Sequence, residues 1–364
     1  MPPFPPYIPP DFTRPDLAAA PPSRTEKAPR DGVLPPGFHA TSNHPEYVHL
    51  GGGRWLLAVE SRMDAVLVLE DERVRVVEPR LVREGERVVV GRTENGEDGI
   101  YVHTTGFDLP ADALSGDKFG FRSRGTRETP FSRSYDELYD ILRHDRDNGS
   151  IVWVLGPAVA FDRDSRDAMA SLIGAGYCHA LLAGNALATH DLEAAFFHTG
   201  LGQDIYTQAL VSRGHYNHLD VINEVLRHGS LERAIAELGT GDGIIRACLE
   251  RRVPVVLAGS IRDDGPLPEV ITDSSRAQDA MRVHARRATT VIALATQLHA
   301  IAVGNMTPGY RVMDDGTVRP VYFYVVDMSE FIADKLANRG SAQARAILTN
   351  AQDFMVNLWH NLRG

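Results

Sequence analysis

The sequence predicts an α/β protein whose C-terminal two thirds is a parallel sheet covered by helices. Two observations predict it. Near-continuous apolar runs recur after residue 150, among them Ile151-Val152-Trp153-Val154-Leu155 and Val253-Pro254-Val255-Val256-Leu257-Ala258. Stretches of helical periodicity separate them, and strands without in/out alternation belong to sheets buried on both faces. A third observation concerns chemistry: glycines and polar residues gather where each apolar run ends. In open parallel sheets that end holds the ligand.

Three segments follow in order. Residues 1–36 hold twelve of the chain's 22 prolines. Such composition buries too little apolar surface to offset its ordering, so a flexible proline-rich arm is expected. Residues 37–128 read as a small β domain. Trp55–Val59, Ala65–Leu69, Val74–Val77 and Val88–Val90 are short β-branched runs, separated by turn residues such as Glu84-Gly85-Glu86 and Asn95-Gly96. Gly51-Gly52-Gly53 is expected to be a hairpin loop, since no helix pattern follows it. In residues 129–364, strands are predicted at 151–155, 180–183, 253–258, 291–295, 321–326 and 346–348. Helices are predicted at 135–144, 165–173, 187–197, 219–226, 231–237, 277–287 and 331–338.

Composition narrows the function. The charged fraction is 24%, the hydrophobic fraction 43% and the net charge −10. The acidic balance argues against a nucleic-acid or anionic-membrane partner, and no apolar run reaches the length of a membrane span. Cys178 and Cys248 are too few for a disulfide framework and fit buried thiols in a reducing, cytoplasmic protein. A small-molecule substrate and a homo-oligomer are expected.

The residues after each strand carry the chemistry. Gly156-Pro157 follows the first, Gly184-Asn185-Ala186 the second and Gly259-Ser260-Ile261-Arg262-Asp263-Asp264-Gly265 the third. Thr296-Gln297-Leu298-His299 follows the fourth and Asp327-Met328 the fifth. Asp327 is placed to accept hydrogen bonds from both ribose hydroxyls of a dinucleotide, which favours NAD over its phosphorylated form. The competing role, a helix cap, falls more naturally to Ser329. The fingerprint Gly-x-Gly-x-x-Gly is absent from these turns. Arg262 beside Asp263 and Asp264 is placed to grip an amino acid's carboxylate and amine, or is simply a charged turn. His190, His215, His218 and His299 are acid–base candidates. His215-x-x-His218 lacks a third ligand at sensible spacing, so no metal site is expected. Of the three lysines, Lys27, Lys118 and Lys335, none stands out for a covalent adduct.

Longer motifs sharpen this reading. Gly184-Asn185-Ala186-Leu187-Ala188-Thr189-His190-Asp191, Leu257 through Pro268, Leu298 through Asn305 and Lys335 through Gln343 resemble the lysine-oxoglutarate reductase/saccharopine dehydrogenase conserved-region family. That family includes archaeal-type ornithine cyclodeaminases and the cyclodeaminase part of bifunctional arginine dihydrolases. Ser42-Asn43-His44-Pro45 through Arg62-Met63-Asp64-Ala65 resembles the family's preceding β region. The resemblance implies a Rossmann-like domain with NAD against Asn185, Ala186, Asp264, Thr296, Gln297, Leu298, His299, Asp327 and Met328. It implies a redox-neutral conversion of L-ornithine to L-proline and ammonia, with Asp264 or His299 moving protons and Arg262 holding the substrate carboxylate. The proline-rich arm stands where bifunctional members carry a guanidine-hydrolysing domain, so arginine hydrolysis by that route is not expected. Gln297 stands where relatives commonly carry Met, which leaves another diamino acid or an arginine derivative open as substrate. The competing class is a non-enzymatic NAD sensor or scaffold.

Overall fold

The computed structural model describes residues 4–107, 131–239, 241–263, 265–329, 331–338 and 344–363. The first seven strands build the N-terminal region: β1 (Arg24–Lys27), β2 (Glu46–His49), β3 (Trp55–Leu57), β4 (Val66–Glu70), β5 (Arg73–Val77), β6 (Arg87–Val90) and β7 (Ile100–Val102). They form a four-stranded antiparallel sheet, β1-β6-β4-β5, and a three-stranded one, β3-β2-β7. Strand β4 is buried on both faces. Val66 and Val68 pack with Val88 and Ala28, while Leu67 packs with Val48, Val89 and Ile100. This is why its sequence is a continuous apolar run and not an alternating one. The triple glycine is the β2–β3 hairpin loop, with all three residues at positive φ.

The proline-rich segment differs from its expectation as a flexible arm. Residues 4–36 lie against the body of the protein. The Phe4 ring meets His144 edge-on at 5.0 Å and lies under the Arg319 guanidinium at 3.9 Å. Tyr7 and Tyr47 share a hydroxyl hydrogen bond of 2.6 Å, Phe12 stacks on Trp55 at 5.0 Å, and Leu17 is completely buried. Strand β1 then joins a sheet through β6. Prolines lower the ordering cost of an extended segment, and aromatic anchors between them supply the burial.

Strands β8 (Ile151–Leu155), β9 (Ala180–Gly184), β12 (Val255–Ala258), β13 (Val270–Ile271), β14 (Thr290–Leu294), β17 (Tyr322–Asp327) and β18 (Ala344–Leu348) form one parallel sheet. Two short hairpins, β10–β11 (Thr199–Gly200 and Gln203–Asp204) and β15–β16 (Tyr310–Val312 and Val318–Pro320), lie outside it. The order β13-β12-β9-β8-β14-β17-β18 reverses direction between β8 and β14. This is a doubly wound, Rossmann-like arrangement with an added edge strand. One face packs Trp153, Leu181, Ile292 and Tyr324 under the helices Phe131–Asn148, Arg163–Gly174 and Ala351–Leu362. The other packs Val154, Leu182, Val291 and Val325 under Ser274–Ala285 and Gln297–Met306. Periodicity did not reveal the helices Ile244–Arg251, Gln297–Met306 and Ala351–Leu362, nor the two-residue edge strand β13. Strand β14 stops one residue earlier than its apolar run, because Ala295 turns to φ +53°.

The N-terminal region docks at the foot of this sheet. Arg62 donates to the Asn305 carbonyl at 2.6 Å, at the C-terminal end of the helix Gln297–Met306. Arg286 donates to the Val76 carbonyl at 2.8 Å from the end of Ser274–Ala285. Both helices begin at the carboxyl-end side of the sheet, so the β region sits at the opposite end. Beside it, Asp145 binds Arg319 through both oxygens (2.7 and 3.3 Å) and accepts from Thr289 and Thr290.

Candidate functional site

The reversal of strand order opens a crevice at the carboxyl ends of β8 and β14. Two residues shape its floor. Gly156, directly after β8, donates its N–H to Leu294 O at 2.9 Å, and a Cβ at this position would overlap the Ala295 carbonyl oxygen. Only glycine lets the two strand ends come this close. Ala295 is in the left-handed region, which costs a residue with a Cβ on the order of 1 kcal/mol and marks a strained turn. The chain then passes through Thr296 into the helix Gln297–Met306.

Two helix N-termini open onto this crevice. The helix Asn185–Phe197 begins directly after β9 with Gly184 as its N-cap, and the helix Gln297–Met306 begins with Thr296. Neither cap residue supplies a side-chain hydrogen bond. Their first-turn N–H groups are thus left for another acceptor, and the helix dipoles favour an anion there. Asn185 uses its side chain elsewhere: it donates to Gly265 O at 3.2 Å and accepts from Leu267 N at 3.1 Å. It thereby ties the loop after β12 to the end of β9, leaving its backbone to face a ligand. Ala186 is half-buried in the same turn.

His299 lies over this helix start. A Cβ on Gly184 would come within 3.1 Å of its Cε1. Burial holds the imidazole below the usual histidine range, with the Asp263 charge pulling the other way. The ring is therefore neutral at pH 7 and is a proton acceptor. Asp263 itself accepts from Ser260 N at 2.8 Å. Arg262 is exposed on the same turn, with its backbone N–H on Ser260 Oγ. Asp264 lies outside the described residues, as do Lys118 and the motif residues 339–343.

Asp327 is half-buried at the end of β17, and its Oδ1 accepts from Ser329 N at 3.2 Å. Ser329 Oγ in turn accepts from Phe331 N at 3.3 Å. The serine caps the following helix, and the aspartate is not drawn into that role. Gln297 is exposed, and Leu298 and Met328 are each 75% exposed. Ile261, which the sequence did not single out, is fully exposed at the end of β12. Exposed apolar side chains at three strand ends form the kind of rim that a flat ring covers. Strand-end position in the sequence places Asp327 and His299 at the crevice, and there they lie. The strain at Ala295 and the structural bonds of Asn185 had no sequence signal.

Similarity to known proteins agrees with this geometry. Residues 136–358 match the family model described as arginine dihydrolase ArgZ-like, C-terminal, Rossmann fold. A protein named ornithine cyclodeaminase from Methanopyrus kandleri is 42% identical over 93% of this chain and 78% of its own length. One from Archaeoglobus fulgidus is 39% identical over the same shares. A crystal structure of a conserved LOR/SDH protein from Methanococcus maripaludis S2 superposes with a TM-score of 0.82 at 34% identity, covering 94% of this chain and 98% of that one. The ternary complex of AgrE with ornithine and NAD+ superposes with a TM-score of 0.57 at 28% identity, covering 95% of this chain and 46% of that one. The chain belongs to the ArgZ-like C-terminal Rossmann-fold family, whose relatives include proteins named ornithine cyclodeaminase.

Proposed function

We propose that the crevice binds NAD and that the protein converts L-ornithine, or a related diamino acid, to L-proline or its analogue with release of ammonia. The observation that carries the reading is the meeting of two helix N-termini without side-chain caps, a strand-end carboxylate and a half-buried neutral histidine where strand order reverses. Relatives named ornithine cyclodeaminase, and the AgrE complex with ornithine and NAD+, support the choice of substrate and cofactor. NAD held there supplies the acceptor and then the donor of a single hydride at the substrate Cα.

The chain's own residues do the rest. The N–H groups of Asn185, Ala186, Gln297 and Leu298 face the pyrophosphate, and Asp327 accepts the ribose hydroxyls. Thr296 and Met328 line the same ends, and Leu298 and Met328 cover the bound rings. Arg262 holds the substrate carboxylate. His299 or Asp264 takes the proton that the α-ammonium must lose before hydride leaves. The reading includes a homo-oligomer: Leu201, Tyr206, Leu210 and Tyr216 stand exposed on one surface segment, and sedimentation reports the state.

Ornithine deuterated at Cα tests the reaction. The expected product is proline that keeps the label, with no net NADH. Free NADH with a keto acid marks a simple dehydrogenase and overturns the cyclisation. The exposed Gln297 at the helix start favours one further reading, a different diamino acid or an arginine derivative as substrate. A panel of such amino acids, read by product mass, decides between them.

A further inference from the structure

His190 and Glu193 form a buried pair that the residues so far assigned do not use. The helix Asn185–Phe197 advances about 100° per residue, so His190 faces about 140° away from Asn185. Asn185 faces the loop after β12. His190 faces the opposite way, toward the short 3-10 turn Pro157–Ala160 that follows β8 at the switch point. Its ring meets Phe161 edge-on at 5.1 Å and lies 6.1 Å from the His218 ring of the helix Asn217–His228.

Glu193 is completely buried, one turn further along. Its Oε2 accepts from His190 Nδ1 at 2.7 Å, and its Oε1 accepts from Thr199 Oγ1 at 2.8 Å and Gly202 N at 3.1 Å. Burial pushes the Glu193 carboxyl up, but the bonds from His190, Gly202 and Thr199 outweigh it and hold it below the usual carboxylate range. A carboxylate only accepts, so it fixes the proton on Nδ1 and leaves the lone pair on Nε2. The hairpin β10–β11 braces the carboxylate from behind. A carboxylate–imidazole pair with a locked tautomer, next to the first turn after β8, is a device for moving protons.

We propose that His190 is the proton shuttle of the ring-closing step and that Glu193 is its positioning residue. This rests on the cyclodeaminase reading above. The substrate's δ-nitrogen forms a bond to the α-carbon of the imine, giving a carbon with two nitrogens. His190 Nε2 takes the proton from the newly attached nitrogen and gives it to the original α-amino group. The C–N bond to that group then breaks and ammonia leaves with the bonding pair, so His190 ends as it began and no electrons are exchanged.

The test uses the full chain loaded with NAD. In His190→Asn the amide nitrogen can still donate to Glu193, which preserves the fold. Conversion of ornithine to proline should fall at least about a hundredfold in kcat, with the NAD Kd changed less than about threefold. Glu193→Gln should lower kcat by about tenfold with the KM for ornithine and the NAD Kd little changed, a split that a merely structural role would not produce. A second measurement needs no turnover: nitrogen NMR of His190 as ornithine, lysine or 2,4-diaminobutyrate is added. Proton residence on Nδ1 and a shift at Nε2 are expected. Proline formed by His190→Asn at near wild-type kcat overturns the shuttle and leaves the function standing. No proline from the wild type, with the Nε2 shift present, keeps the amine contact and overturns the ornithine reaction. A ring that no diamino acid perturbs overturns the proposal.

Discussion

At the amino ends of β8 and β14, the Asp145 carboxylate accepts from Arg319, Thr289 and Thr290, and the Phe4 ring closes over the Arg319 guanidinium. At the carboxyl ends of the same strands, the helix N-termini lack side-chain caps, Ala295 is strained, and Leu298 and Met328 stand in solvent. The foot pairs its charges internally and leaves only Arg319 Nε without a hydrogen bond in this group, while the two helix N-termini at the top have no side-chain cap. A trough of about 960 Å³ also lies at the foot, lined in part by Phe4, Tyr7, Tyr47, His144 and Arg319. The top is the end where uncapped helix N-termini and strand-end side chains are placed to meet a ligand.

The comparison breaks if the foot proves catalytic or the top proves structural. The largest effect is expected from Asp145→Ala, which leaves Arg319 buried without its carboxylate. Unfolding free energy should drop by roughly 3–5 kcal/mol, read by denaturant titration, while NAD affinity of the folded fraction stays unchanged. Acid gives the same result by another route. Burial pushes the Asp145 carboxyl up, but the Arg319 bonds and charge, with help from Thr289 and His144, hold it below the usual range. Its stabilisation is thus complete above the unfolded carboxylate value near about 3.9 and is lost as pH falls through the lower folded value. Wild type should lose more stability in that window than a variant lacking the carboxylate.

Leu17→Ala comes next. This side chain is fully buried in the arm and packs against the turn at Gly96. A cost of about 2–4 kcal/mol is expected; a change near zero would mean that the arm is free in solution. The smallest stability effect belongs to the top. Asp327→Asn should change unfolding free energy by less than about 0.5 kcal/mol, yet weaken NAD binding and erode its preference over NADP. Calorimetric titration with both dinucleotides measures this, and tighter binding of NADP by the wild type would remove the ribose role.

All strands of the parallel sheet but the short edge strand β13 were legible because both faces are buried, which leaves runs such as Ile151–Leu155 with no alternation to confuse them. The arm was misread because twelve prolines outweighed four anchors. Leu17 is buried and Phe4, Tyr7 and Phe12 are half-buried against surfaces that sequence cannot place. Position after a strand put Asp327, His299 and Asn185 at the crevice, since topology alone carries them there. What each side chain does there was not legible. Asn185 binds its own loop and His190 pairs with a glutamate, and both depend on contacts three to eighty residues distant.

The arm's docking has a consequence for how the molecule is made. Phe4 leaves the ribosome roughly 315 residues before Arg319 (319 − 4), the cation it covers. At about 5–20 residues per second that interval is on the order of 15–60 s. During that time the arm can pair only with the β region, through Tyr47, Trp55 and β6. The contact between Phe4 and Arg319 can close only after Arg319 has emerged, so a segment synthesised early is fixed in place by one made much later.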